Sequence, residues 1–92
     1  MDWTLTHDPD RRRYVLADAA GPVAYAAYVE RDGRVVIHHT EVERARRGRG
    51  VGAELVRRTL DMLRAQGRVV TPACPFVSDF IDAHPDYADL AR

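Results

Sequence analysis

The spacing of apolar residues changes near residue 50 and divides the chain into two kinds of structure. Before that point, apolar and β-branched residues form short runs bounded by Asp, Gly and Pro, a pattern typical of strands and turns. The runs predict four strands, at residues 3–7, 13–17, 23–29 and 34–42. Since the connections between them are brief, we expect an antiparallel meander.

After residue 50 the period of the pattern becomes helical. The face that recurs every three or four positions comprises Leu55, Val56, Thr59, Leu60 and Leu63. We expect the helix to end near Gln66, because Gly67 suits the left-handed position that follows a helix. A fifth strand at residues 68–73 completes a right-handed βαβ unit and should therefore lie parallel to the fourth strand.

The C-terminal segment contains two short helical signals. Ser78 is a good N-cap for a helix that reaches Ala83, and a second segment follows His84 and Pro85 as far as Leu90. The predicted fold class is therefore α/β, in the wider sense α+β, with residues 1–92 forming a single domain.

Composition excludes several classes of protein. The 92 residues carry no net charge, so no global field draws the chain to nucleic acid or to a membrane surface. A single cysteine excludes an internal disulfide framework and favours a reducing compartment. The first residues do not form a signal peptide, and no apolar run approaches membrane-spanning length. These features predict a cytoplasmic protein, monomeric or weakly dimeric, without a metal site.

The segment between the fourth strand and the helix carries the strongest chemical signal. It reads Arg-Gly-Arg-Gly-Val-Gly over residues 47–52, and four arginines lie within residues 44–49. Glycine lets the backbone turn tightly and approach a ligand, and the amides exposed at a helix N-terminus favour an anion. Arginine adds forked donors that match phosphate oxygens. The segment therefore predicts a site for a phosphate or pyrophosphate.

The spacing of the glycines discriminates among phosphate-binding loops. A P-loop requires lysine, and this chain has none. The dinucleotide fingerprint requires Gly-x-Gly-x-x-Gly and a later acidic residue, whereas the corresponding region reads Val-Val-Thr-Pro over residues 69–72. What remains is Arg-x-x-Gly-x-Gly, with Arg47, Gly50 and Gly52 in its fixed places. In this respect the chain resembles the GCN5-related N-acetyltransferase family, whose acetyl-CoA loop has that pattern between a strand and a helix.

Further segments resemble one small branch of that family, the single-domain YjdJ-type or NATD1-like acetyltransferases. The segments are His-Thr-Glu-Val at 39–42, the loop at 47–52, Pro-Ala-Cys-Pro-Phe at 72–76 and His-Pro-Asp-Tyr at 84–87. Their order and spacing cover most of residues 22–92. The branch lacks two helices that follow the first strand in larger relatives, and residues 1–33 have room only for strands and turns.

The resemblance implies acetyl-CoA as the co-substrate and a minimal fold in which strands four and five splay apart around the pantetheine arm. A proline at position 72, which cannot donate to a strand ladder, fits an edge position near that splay. The loop would hold the pyrophosphate, and main-chain N–H groups near the end of strand four would polarise the thioester carbonyl. The cofactor-binding residues expected on this chain are Thr40, Val42, Arg47, Gly48, Arg49, Gly50, Val51, Gly52 and Ala53.

Two side chains of the fourth strand are candidates for the general base that an amine acceptor needs. His39 and Glu41 are two positions apart and should share a face, while His38 and Thr40 should point to the other. The alternatives are a packing role for His39 and an arginine partner for Glu41. Tyr87 is a candidate acid for the departing thiolate, or else a buried anchor with its hydroxyl bonded.

Cys74 is the third catalytic candidate. It follows the fifth strand, at the end of the sheet where open α/β folds bind ligands. Its thiol could accept the acetyl group first and so divide one transfer into two steps. The alternative is a small, buried and inert cysteine.

These features predict an acetyl-CoA-dependent N-acetyltransferase that acts on an amine directly or through Cys74. Without a walled pocket, a protein N-terminus, a lysine side chain or a polyamine is easier to accommodate than a small buried metabolite. One alternative is a CoA-binding or CoA-sensing module without catalysis. Another is an RNA-associated module, although the chain lacks the aromatic and basic stripe that usually accompanies RNA binding.

Overall fold

The computed structural model describes residues 2–92 and contains a five-stranded sheet with a long helix on one face. The strands are Thr4–Asp8 (β1), Arg13–Asp18 (β2), Gly21–Arg31 (β3), Arg34–Val42 (β4) and Val69–Pro72 (β5). The helices are Val51–Ala65 (α1) and Pro75–Ala83 (α2), with 3-10 turns at Arg44–Arg46 and Pro85–Ala91. The predicted α/β class is confirmed.

The strands lie in the sheet in their sequence order, which gives the predicted meander followed by a βαβ unit. Strands β1 to β4 pair antiparallel, and β5 pairs parallel to β4. Asp32 and Gly33 close the β3–β4 hairpin with φ values of 53° and 76°. Two consecutive residues with positive φ are what a type I′ hairpin turn requires, so this turn is encoded locally.

Helix α1 buries one face against the sheet. Its buried residues include the whole predicted face: Val51, Leu55, Val56, Thr59, Leu60 and Leu63. They join the buried side chains of β2 to β5 in a single core. Gly67 follows the helix with φ 67°, as predicted from its lack of a Cβ. This packing places the N-terminus of α1 beside the end of β4.

The parallel strands pair along only part of β4. Register partners run from Arg34 opposite Val69 to Ile37 opposite Pro72. From there to Val42, β4 stays paired with β3 but has no strand partner on its other side. The main-chain N–H groups of Ala73 and Cys74 both donate to the carbonyl of Ile37, at 3.0 Å each, as the chain leaves the sheet. The strands therefore diverge after Pro72, which leaves the second half of β4 as a free edge.

A β-bulge interrupts the alternation of β4. Tyr28 lies opposite Ile37 and Ala27 opposite His39, so His38 has no register partner on β3. Because the alternation restarts after the bulge, Thr40 lies on the same face as Ile37, towards α1. His39 lies on the opposite face, and the simple two-residue alternation predicted across the whole strand is interrupted.

The start of α2 differs from the prediction. The helix begins at Pro75 with Cys74 as its N-cap, so the assignment of Ser78 as N-cap is wrong. The Ser78 N–H donates instead to the Cys74 carbonyl at 3.0 Å, as an interior helical bond. Proline is well suited to the first helical position because its fixed φ is helical and its missing N–H would have no partner there.

Candidate functional site

A pocket of about 510 Å³ lies between the free edge of β4 and the N-terminus of α1. Among the residues predicted to hold the co-substrate, its lining includes Thr40, Val42, Arg47, Gly48, Gly50, Val51, Gly52 and Ala53. Arg49 belongs to the same loop but does not line the pocket. Glu41, Arg46 and Phe76 complete the wall. The tertiary structure thus gathers the predicted strand and loop residues around one cavity.

The three loop glycines serve the pocket for two different reasons. Gly48 and Gly50 have φ values of 80° and 77°, a region that side chains disfavour, and a Cβ built at either position meets nothing within 4 Å. Gly52 has no positive φ, but a Cβ there would lie 2.9 Å from Cζ of Phe76. Gly52 therefore makes room for the Phe76 ring, whereas Gly48 and Gly50 set the direction of the backbone.

The N-terminus of α1 points unoccupied donors towards this pocket. Gly50 is its N-cap and provides no side-chain acceptor, and the first helical N–H with a helical acceptor is that of Glu54, which donates to the Gly50 carbonyl at 3.1 Å. The N–H groups of residues 51–53 therefore lack intrahelical partners. Added to the positive end of the helix dipole, they favour an anion.

The free edge of β4 supplies two more donors. The Glu43 N–H donates to the Val23 carbonyl at 2.8 Å, which fixes the phase of hydrogen bonding between β3 and β4. By the alternation of an antiparallel ladder, the N–H groups of Thr40 and Val42 then point away from β3, towards the edge that β5 leaves free. These are the strand residues expected to contact the co-substrate.

The arginine cluster of residues 44–49 is partly neutralised by acidic partners. Arg46 forms an ion pair with Asp18, and its hydrogen bond holds the pKa of Asp18 below the usual value. Arg47 donates to Glu41 Oε2 at 3.0 Å and to the Val42 carbonyl at 3.1 Å. Arg49 forms no ion pair with any residue in the range 2–92 that the structure describes.

His39, Glu41 and Arg47 form a chain of charged contacts. His39 Nε2 lies 3.1 Å from Glu41 Oε1, so the two side chains share a face as predicted. The hydrogen bond from His39, and with it the bond from Arg47, keeps the pKa of Glu41 below its usual value despite some desolvation. Since an ionised carboxylate only accepts, His39 donates through Nε2, and in the neutral imidazole Nδ1 then carries the lone pair. The arginine partner considered for Glu41 is therefore present as well.

Cys74 lies beside the pocket rather than in its wall. Only 7% of the residue is exposed, and its Sγ lies 3.7 Å from Thr40 Oγ1. The thiol therefore lies on the side of Thr40 that faces α1. Cys74 itself is the N-cap of α2. The burial favours a packing role for Cys74. The contact with Thr40 places the thiol next to a pocket residue, as an acetyl relay through Cys74 would require.

Tyr87 is poorly placed to act as the acid that protonates the departing thiolate. Its hydroxyl donates to Asp61 Oδ1 on α1 at 2.7 Å, and the residue is buried. Burial, together with the bond to Asp61, raises the pKa of Tyr87 to about 12. A weaker acid with a bonded hydroxyl is a poor proton donor, so the geometry favours the anchoring role.

Phe76 lines the pocket, although the sequence pattern predicted no role for it in the site. It is 44% exposed, the only large apolar side chain within residues 2–92 that is so exposed, and it covers Gly52 in the pocket wall. An apolar residue directly after Cys74-Pro75 was the available signal. Its position in the pocket wall depends on the packing of α2 against the N-terminus of α1, which no local pattern predicts.

The comparisons with known proteins identify one family. The sequence model of a family described as GCN5-related N-acetyl-transferase matches residues 13–90. A search of the curated proteins finds no match to this chain. Within residues 2–92, no three His, Cys, Asp or Glu side chains are grouped so as to hold a metal ion. None of the helices described has the length and apolar character needed to span a membrane.

Proposed function

This chain belongs to the GCN5-related N-acetyltransferase family, and from that premise we propose that it is an acetyl-CoA-dependent N-acetyltransferase of the small, single-domain YjdJ-type branch. The observation that supports this most directly is the pocket in which the N-terminus of α1 meets the free edge of β4. Unpartnered helix amides suit a pyrophosphate, and unpaired strand amides suit a carbonyl. One chemical group that needs both is an acyl-CoA thioester.

The residues around the pocket divide between these tasks. The N–H groups of residues 51–53 and the turn at Gly48 and Gly50 hold the pyrophosphate, with Arg49 as the nearby cation. Thr40 and Val42 bind the pantetheine arm and the thioester carbonyl through their main-chain N–H groups. The co-substrate, when bound, supplies an acetyl group activated as a thioester.

His39 is proposed as the general base, oriented by Glu41. The imidazole donates through Nε2 to Glu41 and therefore presents a basic Nδ1 to an incoming ammonium group. The acceptor ammonium gives one proton to His39, the resulting amine forms a bond to the acetyl carbon, and the nitrogen loses its second proton to solvent as the amide forms. The carbon–sulfur bond breaks, its electron pair leaves with the CoA sulfur, and that thiolate is protonated from solvent.

The function is tested by incubating the protein with acetyl-CoA and a panel of amines while free CoA is measured. Amine-dependent release of CoA supports the transferase. Tight CoA binding without turnover for any amine would indicate the CoA-binding module. Oligonucleotide binding that weakens with salt and is not displaced by CoA would indicate the RNA-associated module.

We expect Arg49→Ala to weaken CoA binding by about 1.5–3 kcal/mol, the scale of hydrogen bonds to charged groups. The reason is that Arg49 is a loop arginine without a carboxylate partner in residues 2–92. Calorimetric titration with CoA measures the change, and Arg31→Ala, at the far hairpin, serves as the control. An equal loss for a pantetheine ligand that lacks the pyrophosphate would contradict the phosphate contact.

We expect Arg47→Ala to act mainly through Glu41. The substitution removes a contact that lowers the pKa of Glu41, so that pKa rises towards its usual value. Glu41 accepts from His39 only when it is ionised, so the extra loss of kcat/KM in Arg47→Ala should appear at the low pH where a glutamate titrates. The pH profiles of Arg47→Ala and Arg31→Ala are compared, and coincident acid limbs would exclude this role for Arg47.

A further inference from the structure

A second and larger groove, of about 840 Å³, opens on the sheet face opposite α1. Its floor includes a row of cross-strand neighbours that runs from β1 to β4. The row is Thr6 opposite Val15, Val15 opposite Tyr25, and Tyr25 opposite Glu41. Three steps between strands, at about 4.8 Å each, make the row roughly 14 Å long.

The groove ends at Glu41, the carboxylate that orients the proposed base His39. Glu41 lines both this groove and the pocket beside α1, so the two cavities share that carboxylate. In the neighbouring row, Asp8 lies opposite Arg13, Arg13 opposite Ala27, and Ala27 opposite His39. Both rows thus lead across the sheet to the side chains that would deprotonate an acceptor.

The charges along the groove are arranged in one direction. At the β4 end stand Glu41, which already contacts His39 and Arg47, and Glu43, which has no ion-pair partner in the described part of the chain. Arg13 projects from β2 towards β3, and its guanidinium lies 4.1 Å from the ring centre of Tyr25, one strand away from Glu41. It has no carboxylate partner in residues 2–92, whereas the neighbouring Arg11 is paired with Asp8 at 3.2 Å. A complementary ligand carries an ammonium at one end and an anion towards the other.

We propose that this groove binds the acceptor, and that the acceptor is the free amino terminus of a peptide or protein with an acidic residue among its second to fourth positions. The inference rests on the proposed transferase function and names its substrate class. The terminal nitrogen meets Glu41, Glu43 and His39, and the acidic side chain meets Arg13. The ammonium loses one proton to His39, the amine then bonds to the acetyl carbon and releases its second proton to solvent, and the CoA sulfur leaves with the electron pair of the broken bond.

The length and direction of the groove select this acceptor over the others. An extended peptide rises about 3.3 Å per residue, so the fourth residue lies roughly 10 Å from the amine, within the row. A polyamine would place a second cation near Arg13. A lysine side chain would carry a backbone that continues in two directions, whereas an amino terminus continues in one, as the charge gradient does.

The test uses three short peptides with the full-length protein. One begins Ala-Asp-Glu, a second begins Ala-Lys-Lys, and a third has a blocked amino terminus and one lysine beside acidic residues. We expect kcat/KM with acetyl-CoA to be about tenfold higher for the acidic amino terminus than for the basic one, the order expected for a partly exposed charge contact. Binding of the acidic peptide without acetyl-CoA is measured separately by fluorescence anisotropy.

Arg13→Glu should abolish or reverse the preference and weaken binding of the acidic peptide. Arg31→Glu makes the same charge change at the exposed β3–β4 hairpin and should leave both unchanged. Circular dichroism melting confirms that each variant is folded. Thr6→Asp, which keeps Arg13 and its Tyr25 contact, provides a second charge change in the groove and should also weaken the acidic peptide.

The failure of this inference can be distinguished from failure of the function. Equal rates for acidic and basic peptides, a preference for the blocked lysine peptide, or a preference that survives Arg13→Glu would each overturn the acceptor class while supporting the transferase. Binding of the acidic peptide that depends on Arg13, without acetyl transfer, would support the groove and overturn the transferase. No binding and no transfer would overturn the groove as an acceptor site.

Discussion

Gly50→Val should abolish CoA binding and leave the fold intact. Gly50 is the N-cap of α1 with φ 77°, and the branched side chain disfavours that conformation while projecting beside the amides that hold the pyrophosphate. The loop is exposed, so the cost to the free energy of unfolding should be only about 1–3 kcal/mol, the usual strain of such a residue. Titration calorimetry with CoA measures the binding, and thermal unfolding measures the stability.

Gly33→Val is the matched control for this prediction. Gly33 has φ 76°, and a Cβ at either glycine meets nothing within 4 Å, so both substitutions carry a similar backbone strain. Gly33 lies in the β3–β4 turn, at the opposite end of β4 from the pocket. Binding should therefore survive Gly33→Val. Unchanged CoA affinity in folded Gly50→Val would remove the loop from the binding site.

The acetyl relay through Cys74 predicts a covalent adduct with acetyl-CoA alone. The thiolate sulfur would form a bond to the acetyl carbon while the bond from that carbon to the CoA sulfur breaks. Intact-protein mass measurement should then show one added acetyl unit that neutral hydroxylamine removes. Because the chain contains no lysine, the α-amine of Met1 is the main competing nitrogen.

If the acetyl group passes through Cys74, Cys74→Ser should lose the adduct and most of the transferase activity while still binding CoA through the loop, whereas direct attack by the amine predicts full activity. His39→Ala should leave adduct formation unchanged, because His39 and Cys74 lie on opposite faces of β4, and should slow only the transfer to an amine. Thr40→Val tests the 3.7 Å contact with the thiol and should also slow the adduct. Full activity of Cys74→Ser towards an amine would exclude the relay. It would support direct attack by the amine and leave Cys74 as a packing residue.

The fold was predictable because its main elements are encoded by local patterns. The apolar face of α1 recurs at helical spacing, and Asp32 with Gly33 forms a turn that those two residue types favour. The start of α2 was missed since Ser78 carries a strong local signal for an N-cap. Proline at the first helical position competed with that signal, and packing of Val77 and Phe80 into the core accompanies the earlier start.

The candidate site was predictable in part. The loop glycines and the strand residues Thr40 and Val42 were identified from their order along the chain, and the structure gathers them around one pocket. The sequence indicated an arginine partner for Glu41 but not which arginine it is. The pairing with Arg47 depends on the path of the chain through the 3-10 turn. The groove across the open face carries no local signal, and the only signal for Phe76 is its apolar character, since the role of each depends on elements distant in sequence.

The sequence by itself determined which segments are strands and helices, where the glycine loop before α1 lies, and to which family the chain belongs. Those properties follow from residue spacing and from the backbone freedom of glycine, both of which act locally. Only the tertiary structure decided which side chains face one another. The bulge at His38 shifts the alternation of β4 by one residue, and this shift turns Thr40 towards Cys74 and turns His39 and Glu41 towards the open groove.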